Sequence, residues 1–149
     1  MMTLAAPQQP GRLLIIDDDE GVRRAFAGIL EMRGHDIRTA ATADDGMRDL
    51  GSFRPDAILF DLRMPLVNGF GFLYRLRSHP GFGRLPVAIV TGDCTLTEAS
   101  LGELRALGAE VRHKPIGARD LVALADLLLA RAAPIGTNVG LSSGCARTA

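Results

Sequence analysis

The chain has 149 residues, 47% of them hydrophobic, which is enough for one core of ordinary size and too little for two full domains. Seventeen Lys plus Arg balance seventeen Asp plus Glu, so there is no global field to draw the protein to nucleic acid or to an anionic membrane. No stretch reaches the roughly 18 apolar residues that span a bilayer, and Met1 to Pro10 lacks a basic start with an apolar run behind it, so a cytoplasmic protein is expected.

Residues 1–11 carry no periodic pattern and are expected to form a flexible arm. Leu13 to Ile16 is a short continuous apolar run that predicts a first strand, and it runs into Asp17-Asp18-Asp19-Glu20. Val22, Phe26, Ile29 and Leu30 then form a helical stripe, closed by Gly34 as its C-terminal glycine. His35 to Thr39 predicts a second strand, and about Ala43 to Leu50 a second helix. Ala57 to Phe60 predicts a third strand leading into Asp61, and Val87 to Val90 a fourth leading into Thr91-Gly92. Thr95 with Glu98 reads as a capping box that opens a helix, with Gly108 closing it. A weaker fifth run, Ala109 to Val111, leads into His113-Lys114-Pro115, and Leu121, Leu124, Ala125, Leu128 and Leu129 stripe the last helix. From Pro134 the chain turns to Gly, Ser, Thr and Ala without periodicity, so 133–149 is expected to be a disordered tail beyond a folded unit at 12–132.

The apolar runs do not alternate with polar residues, which suits strands covered on both faces, as in a parallel sheet. Five strand–helix pairs with right-handed crossovers predict a doubly wound α/β fold, (βα)5; of the orders open to it, 2-1-3-4-5 is the one we adopt. Ligands of such sheets sit beyond the carboxyl ends of the strands. Those ends carry Asp17 and Asp18, Asp61, Thr91 and Gly92, and Lys114. Singly, each has a plain explanation: an acidic helix start, a loop-entry carboxylate, a hydroxyl bonded to backbone, a solvated ammonium. Jointly, three carboxylates and one ammonium at a single edge would repel or titrate abnormally unless a cation and an anion joined them.

The acidic cluster, Asp61-Leu62-Arg63-Met64-Pro65 with Asn68-Gly69, Val90-Thr91-Gly92 and Lys114-Pro115 together resemble the receiver domains of two-component response regulators, over about Arg12 to Arg131. The resemblance implies a flavodoxin-like sheet and a signalling module rather than an enzyme, one that catalyses only its own phosphorylation and dephosphorylation. It implies that Asp61 takes a phosphoryl group from the phosphohistidine of a sensor histidine kinase or histidine phosphotransfer protein. Mg2+, for which Mn2+ is able to substitute, would be held by Asp18, Asp61 and the backbone carbonyl of Arg63, with Asp17 acting through water; an oxygen-only set with retained waters suits it. Lys114 would sit on a phosphoryl oxygen, with the Thr91 hydroxyl and the Gly92 N–H on the others, and Gly92 leaving the approach to phosphorus open. Pro115 would follow a cis bond, and Gly69 would supply a turn conformation. Signalling would pass through the face of helix four, strand five and helix five to a downstream protein, without nucleic acid or membrane, and with homodimer formation open. Only one helix and the tail follow Lys114, which resembles regulators of a single domain.

Two features depart from the pattern. Many receivers carry an aromatic three residues before the lysine, whose ring rotates as the threonine moves; here that position is Val111, which cannot make the same movement. Arg63 and Asp93 flank the expected path of attacking water. Paired, they would cover the acyl phosphate and slow its hydrolysis; as two exposed charges they are worth under about 1 kcal/mol. A magnesium-dependent phosphatase with an aspartate nucleophile is the runner-up, but it wants a second acid where Arg63 stands. An electron carrier with a flavin phosphate would be repelled by Asp17-Asp18-Asp19-Glu20. Cys94 and Cys145 lack metal-ligand spacing and read as unrelated thiols, and His35, His79 and His113 read as structural or exposed.

Overall fold

The computed structural model describes residues 10–62, 67–92 and 96–132. Strand and helix alternate through them: β1 (Arg12–Ile16), α1 (Glu20–Met32), β2 (Asp36–Ala40), α2 (Ala43–Phe53), β3 (Ala57–Leu62), α3 (Val67–Arg77), β4 (Val87–Thr91), α4 (Glu98–Ala106), β5 (Ala109–His113) and α5 (Ala118–Ala132). The strands are all parallel, as the alternation of runs and helical stripes predicts, and their order is the adopted one, β2-β1-β3-β4-β5. No helix among the described residues is long and apolar enough to cross a membrane.

Side chains alternate between the two faces of a strand, so each continuous apolar run feeds two cores at once. Leu14, Ile16, Ile58, Phe60 and Ile89 face one layer, where Leu50, Phe53, Phe72, Leu76 and Leu104 of α2, α3 and α4 cover them. Leu13, Ile15, Leu59, Ala88 and Val90 face the other, under Leu30 of α1 and Leu121, Leu124 and Leu128 of α5. Each such side chain contributes on the order of 1.5–3 kcal/mol by leaving water. β2 is one of the two edge strands and is largely exposed, which is why its sequence lacks an apolar run.

Several boundaries differ from expectation for local reasons. His35 precedes β2 instead of opening it; its ring is buried and Nδ1 accepts the Gly11 N–H at 3.0 Å. α2 continues past Leu50 to Phe53, because its left-handed end falls on Arg54 (φ 55°), a residue type that gives no glycine signal. α4 is capped by Thr97, whose hydroxyl accepts the Ser100 N–H at 3.0 Å, so the expected capping box of Thr95 with Glu98 is not used; Thr95 itself lies outside the described residues. Gly69 falls inside α3, so it supplies no turn conformation. Gly34 (φ 96°) and Gly108 (φ 84°) do end their helices in the left-handed region that favours glycine.

At Gly46, α2 meets the last residue of β1. A Cβ there would lie 2.4 Å from Ile16 Cδ1 and 2.9 Å from its Cγ1. Gly46→Val is therefore expected to cost about 1–3 kcal/mol by overpacking. An unchanged or raised urea midpoint would show that Ile16 can yield.

Candidate functional site

The parallel sheet brings four strand ends to one edge. Asp61 lies within β3 opposite Val90, Thr91 ends β4, and Asp17 follows directly on β1; all three are buried. Asp18 and Gly92 are exposed. Lys114 follows β5, and the Lys114–Pro115 peptide is cis as expected. Its backbone N–H donates to the Thr91 carbonyl at 2.8 Å, tying the two loops together. Lys114 Nζ stands 2.6 Å from Asp61 Oδ1. That contact is a close ion pair, and Asp61 Oδ2 is buried without a hydrogen-bond partner among the described residues.

The acidic run divides its labour. Asp19 caps α1, its Oδ1 accepting the Val22 N–H at 3.0 Å, and Glu20 sits in the first turn, where a carboxylate suits the helix dipole. Asp17 points into the site and is tied at three places. Its N–H donates to the Ala40 carbonyl at 3.1 Å, its Oδ1 accepts the Asp19 N–H at 2.9 Å, and its carbonyl accepts from the Arg23 guanidinium at 2.7 Å. Oδ2 is left buried and without a hydrogen-bond partner among the described residues. The sequence reading missed Arg23, since an arginine in the first turns of a helix carries no signal of a contact back to the preceding loop.

Burial pushes the Asp17 carboxyl up to about 7, with repulsion from Asp61 adding to it and the Asp19 N–H working against it. Burial likewise raises Asp61, opposed by the Lys114 ammonium. Buried carboxyl oxygens without donors, beside one ammonium, are the chemistry that a hard oxygen-seeking cation relieves, so these residues fit Mg2+. Among the described residues no three Asp, Glu, His or Cys side chains group closely enough to enclose a metal by themselves. Mg2+ usually keeps several waters and is bound through one or two carboxylates.

Other expected participants fall elsewhere. Arg63 and Asp93, with the carbonyl and the covering ion pair assigned to them, lie outside the described residues, as do Cys94, Cys145 and the segments 1–9 and 133–149. Val111 is part-buried beside Ile89 and packs on the core under α4. Among the described residues, a Cβ on Gly92 would meet Lys114 Cδ at an ordinary 3.8 Å. His113 is exposed, and His79 Nδ1 accepts the Gly81 N–H at 3.2 Å.

The family model for the response regulator receiver domain matches residues 13–126. The response regulator MprA of Mycolicibacterium vanbaalenii is 30% identical over 125 residues, covering 84% of this chain and 53% of that protein. The transcriptional regulatory protein AfsQ1 of Streptomyces coelicolor is 37% identical over 79 residues, 53% of this chain and 34% of that protein. The chain thus spans about half or less of the length of these relatives. Among solved structures, a CheY-like receiver domain protein from Methanospirillum hungatei is 27% identical with a TM-score of 0.70, covering 83% of this chain and 97% of that one. The chemotaxis protein CheY4 of Vibrio cholerae, 24% identical with a TM-score of 0.71 over 81% of this chain and all of that one, shares the fold. The phosphatase alternative finds no support in these matches.

Proposed function

This chain belongs to the response regulator receiver domain family, and from that premise we propose that it accepts a phosphoryl group on Asp61 from a phosphohistidine and signals by binding a protein partner. The observation that carries the reading is the buried Asp61 carboxylate, flanked by the Lys114 ammonium at 2.6 Å and by the Asp17 carboxyl, at the carboxyl edge of the sheet.

A carboxylate oxygen of Asp61 attacks phosphorus, the P–N bond to the donor imidazole breaks, and an acyl phosphate forms on Asp61. Such transfers need alignment and charge neutralisation more than covalent assistance. Lys114 turns from Asp61 to a phosphoryl oxygen, and the Thr91 hydroxyl and Gly92 N–H take the others. Asp17, Asp18 and Asp61, with the Arg63 carbonyl, would hold Mg2+ or Mn2+, whose charge offsets that gathering on the phosphoryl oxygens. The donor is a sensor histidine kinase or a histidine phosphotransfer protein. The downstream protein docks on the face of α4, β5 and α5; between β5 and α5, Arg112, His113, Ile116 and Leu127 line a groove.

Incubation with acetyl phosphate and Mg2+ tests the reading. We expect intact mass to rise by one PO3 group, peptide mapping to place it on Asp61, and the Asp61→Asn variant to stay unmodified. No gain in the wild type, or a gain on another residue, overturns the assignment.

A further inference from the structure

Among the described residues, three of the four polar groups of Asp17 are hydrogen-bonded, and only one of those three ties comes from a side chain. Its N–H is held by the β2 backbone at Ala40 and its Oδ1 by the Asp19 N–H, while its carbonyl is held by Arg23, one turn into α1. Arg23 is only part-exposed, whereas its neighbour Arg24 is 80% exposed and reaches Glu20 at 3.9 Å. The peptide whose carbonyl Arg23 holds is the one that joins Asp17 to Asp18. Its rotation would turn both carboxyl groups relative to Asp61.

We infer that Arg23 is a positioning residue for the acid pair: its guanidinium locks the Asp17–Asp18 peptide so that the free Oδ2 of Asp17 and the carboxylate of Asp18 present themselves together toward Asp61. The inference rests on the magnesium reading above and deepens it. Electrostatics alone gives the opposite sign, because a guanidinium beside carboxylates repels a divalent cation, and removing it would tighten metal binding. Partners that orient metal-holding groups instead raise affinity, and losing one typically weakens metal binding about 10–100-fold. The direction of the change therefore separates positioning from charge.

The test uses the full chain and Mn2+ as probe, with bound ion counted by electron paramagnetic resonance and the fold checked by circular dichroism without metal. Wild type is expected to bind Mn2+, and Arg23→Met to bind it about tenfold or more weakly. Arg23→Lys, which keeps a cationic donor within reach, should recover most of that loss. Arg24→Met removes the same charge one residue along and should bind as wild type does. Should Arg23→Met not fold, Arg23→Gln takes its place, polar but too short for the carbonyl. Binding by Arg23→Met that equals or exceeds wild type overturns the inference, as does equal weakening in Arg23→Lys. Absence of Mn2+ binding in the wild type, by contrast, overturns the metal reading on which it stands.

Discussion

Lys114→Ala is expected to slow phosphoryl uptake from acetyl phosphate by about 10²–10³-fold while the protein stays folded, because one preorganised charge at developing phosphoryl charge is worth that much. The structure places its Nζ 2.6 Å from Asp61 Oδ1, with the side chain 23% exposed and that of Asp61 wholly enclosed. No second lysine exists to replace it, since Lys114 is the only one in the sequence. Arginine is not an equivalent, being larger and planar where a compact point charge fits. Removing the ammonium leaves the Asp61 carboxyl freer to take up a proton, which limits the cost to the fold but also removes the nucleophile. Following the phosphorylated fraction by mass against time settles it: a rate within about tenfold of wild type would mean that Lys114 serves the fold and not the transfer.

Stability without divalent cations is expected to rise as pH falls from about 8 toward 5, through Asp17. Its carboxyl titrates at about 7 in the folded protein against 3.8 for the ordinary value, so between those limits the folded chain holds a proton that the unfolded chain has released. The stabilisation is complete below the unfolded value and is lost as pH rises through the folded one. At about 1.4 kcal/mol per unit, the ceiling is a few kcal/mol, shared with Asp61 because the two titrate as a pair. His35 works the other way. Burial lowers its pKa, so its share is present above its ordinary 6.5 and is lost as pH falls through its folded value. The informative quantity is therefore the difference in urea stability between wild type and Asp17→Asn, in which His35 cancels. It should shrink or reverse toward high pH without metal, and saturating Mg2+ should flatten it by holding the carboxylates ionised. A difference that stays constant from about pH 5 to 8 would show that Asp17 is not the buried acid described.

Asp17, Asp18, Asp61 and Lys114 are legible without coordinates because each sits at or just beyond the carboxyl end of a strand predicted from an apolar run. In a parallel sheet all such positions must meet at one edge, whatever the details of packing. The strand order adopted from the sequence, 2-1-3-4-5, and the two glycine helix ends, Gly34 and Gly108, agree with the structure. Sequence also carries the composite motif that marks the family, since motif spacing follows from strand ends and not from side-chain conformation.

What only the tertiary structure decides is the assignment of like residues to unlike tasks. Asp17, Asp18 and Asp19 are identical in sequence, yet one is buried in the site, one is exposed and one caps α1, because a single turn of chain points them in three directions. The Arg23 tie to the Asp17 carbonyl depends on how α1 leaves β1, a backbone geometry that no residue pattern spells out. The left-handed Arg54 and the Thr97 cap were hidden for a related reason: several residue types meet the same local need, and neighbours in space choose among them.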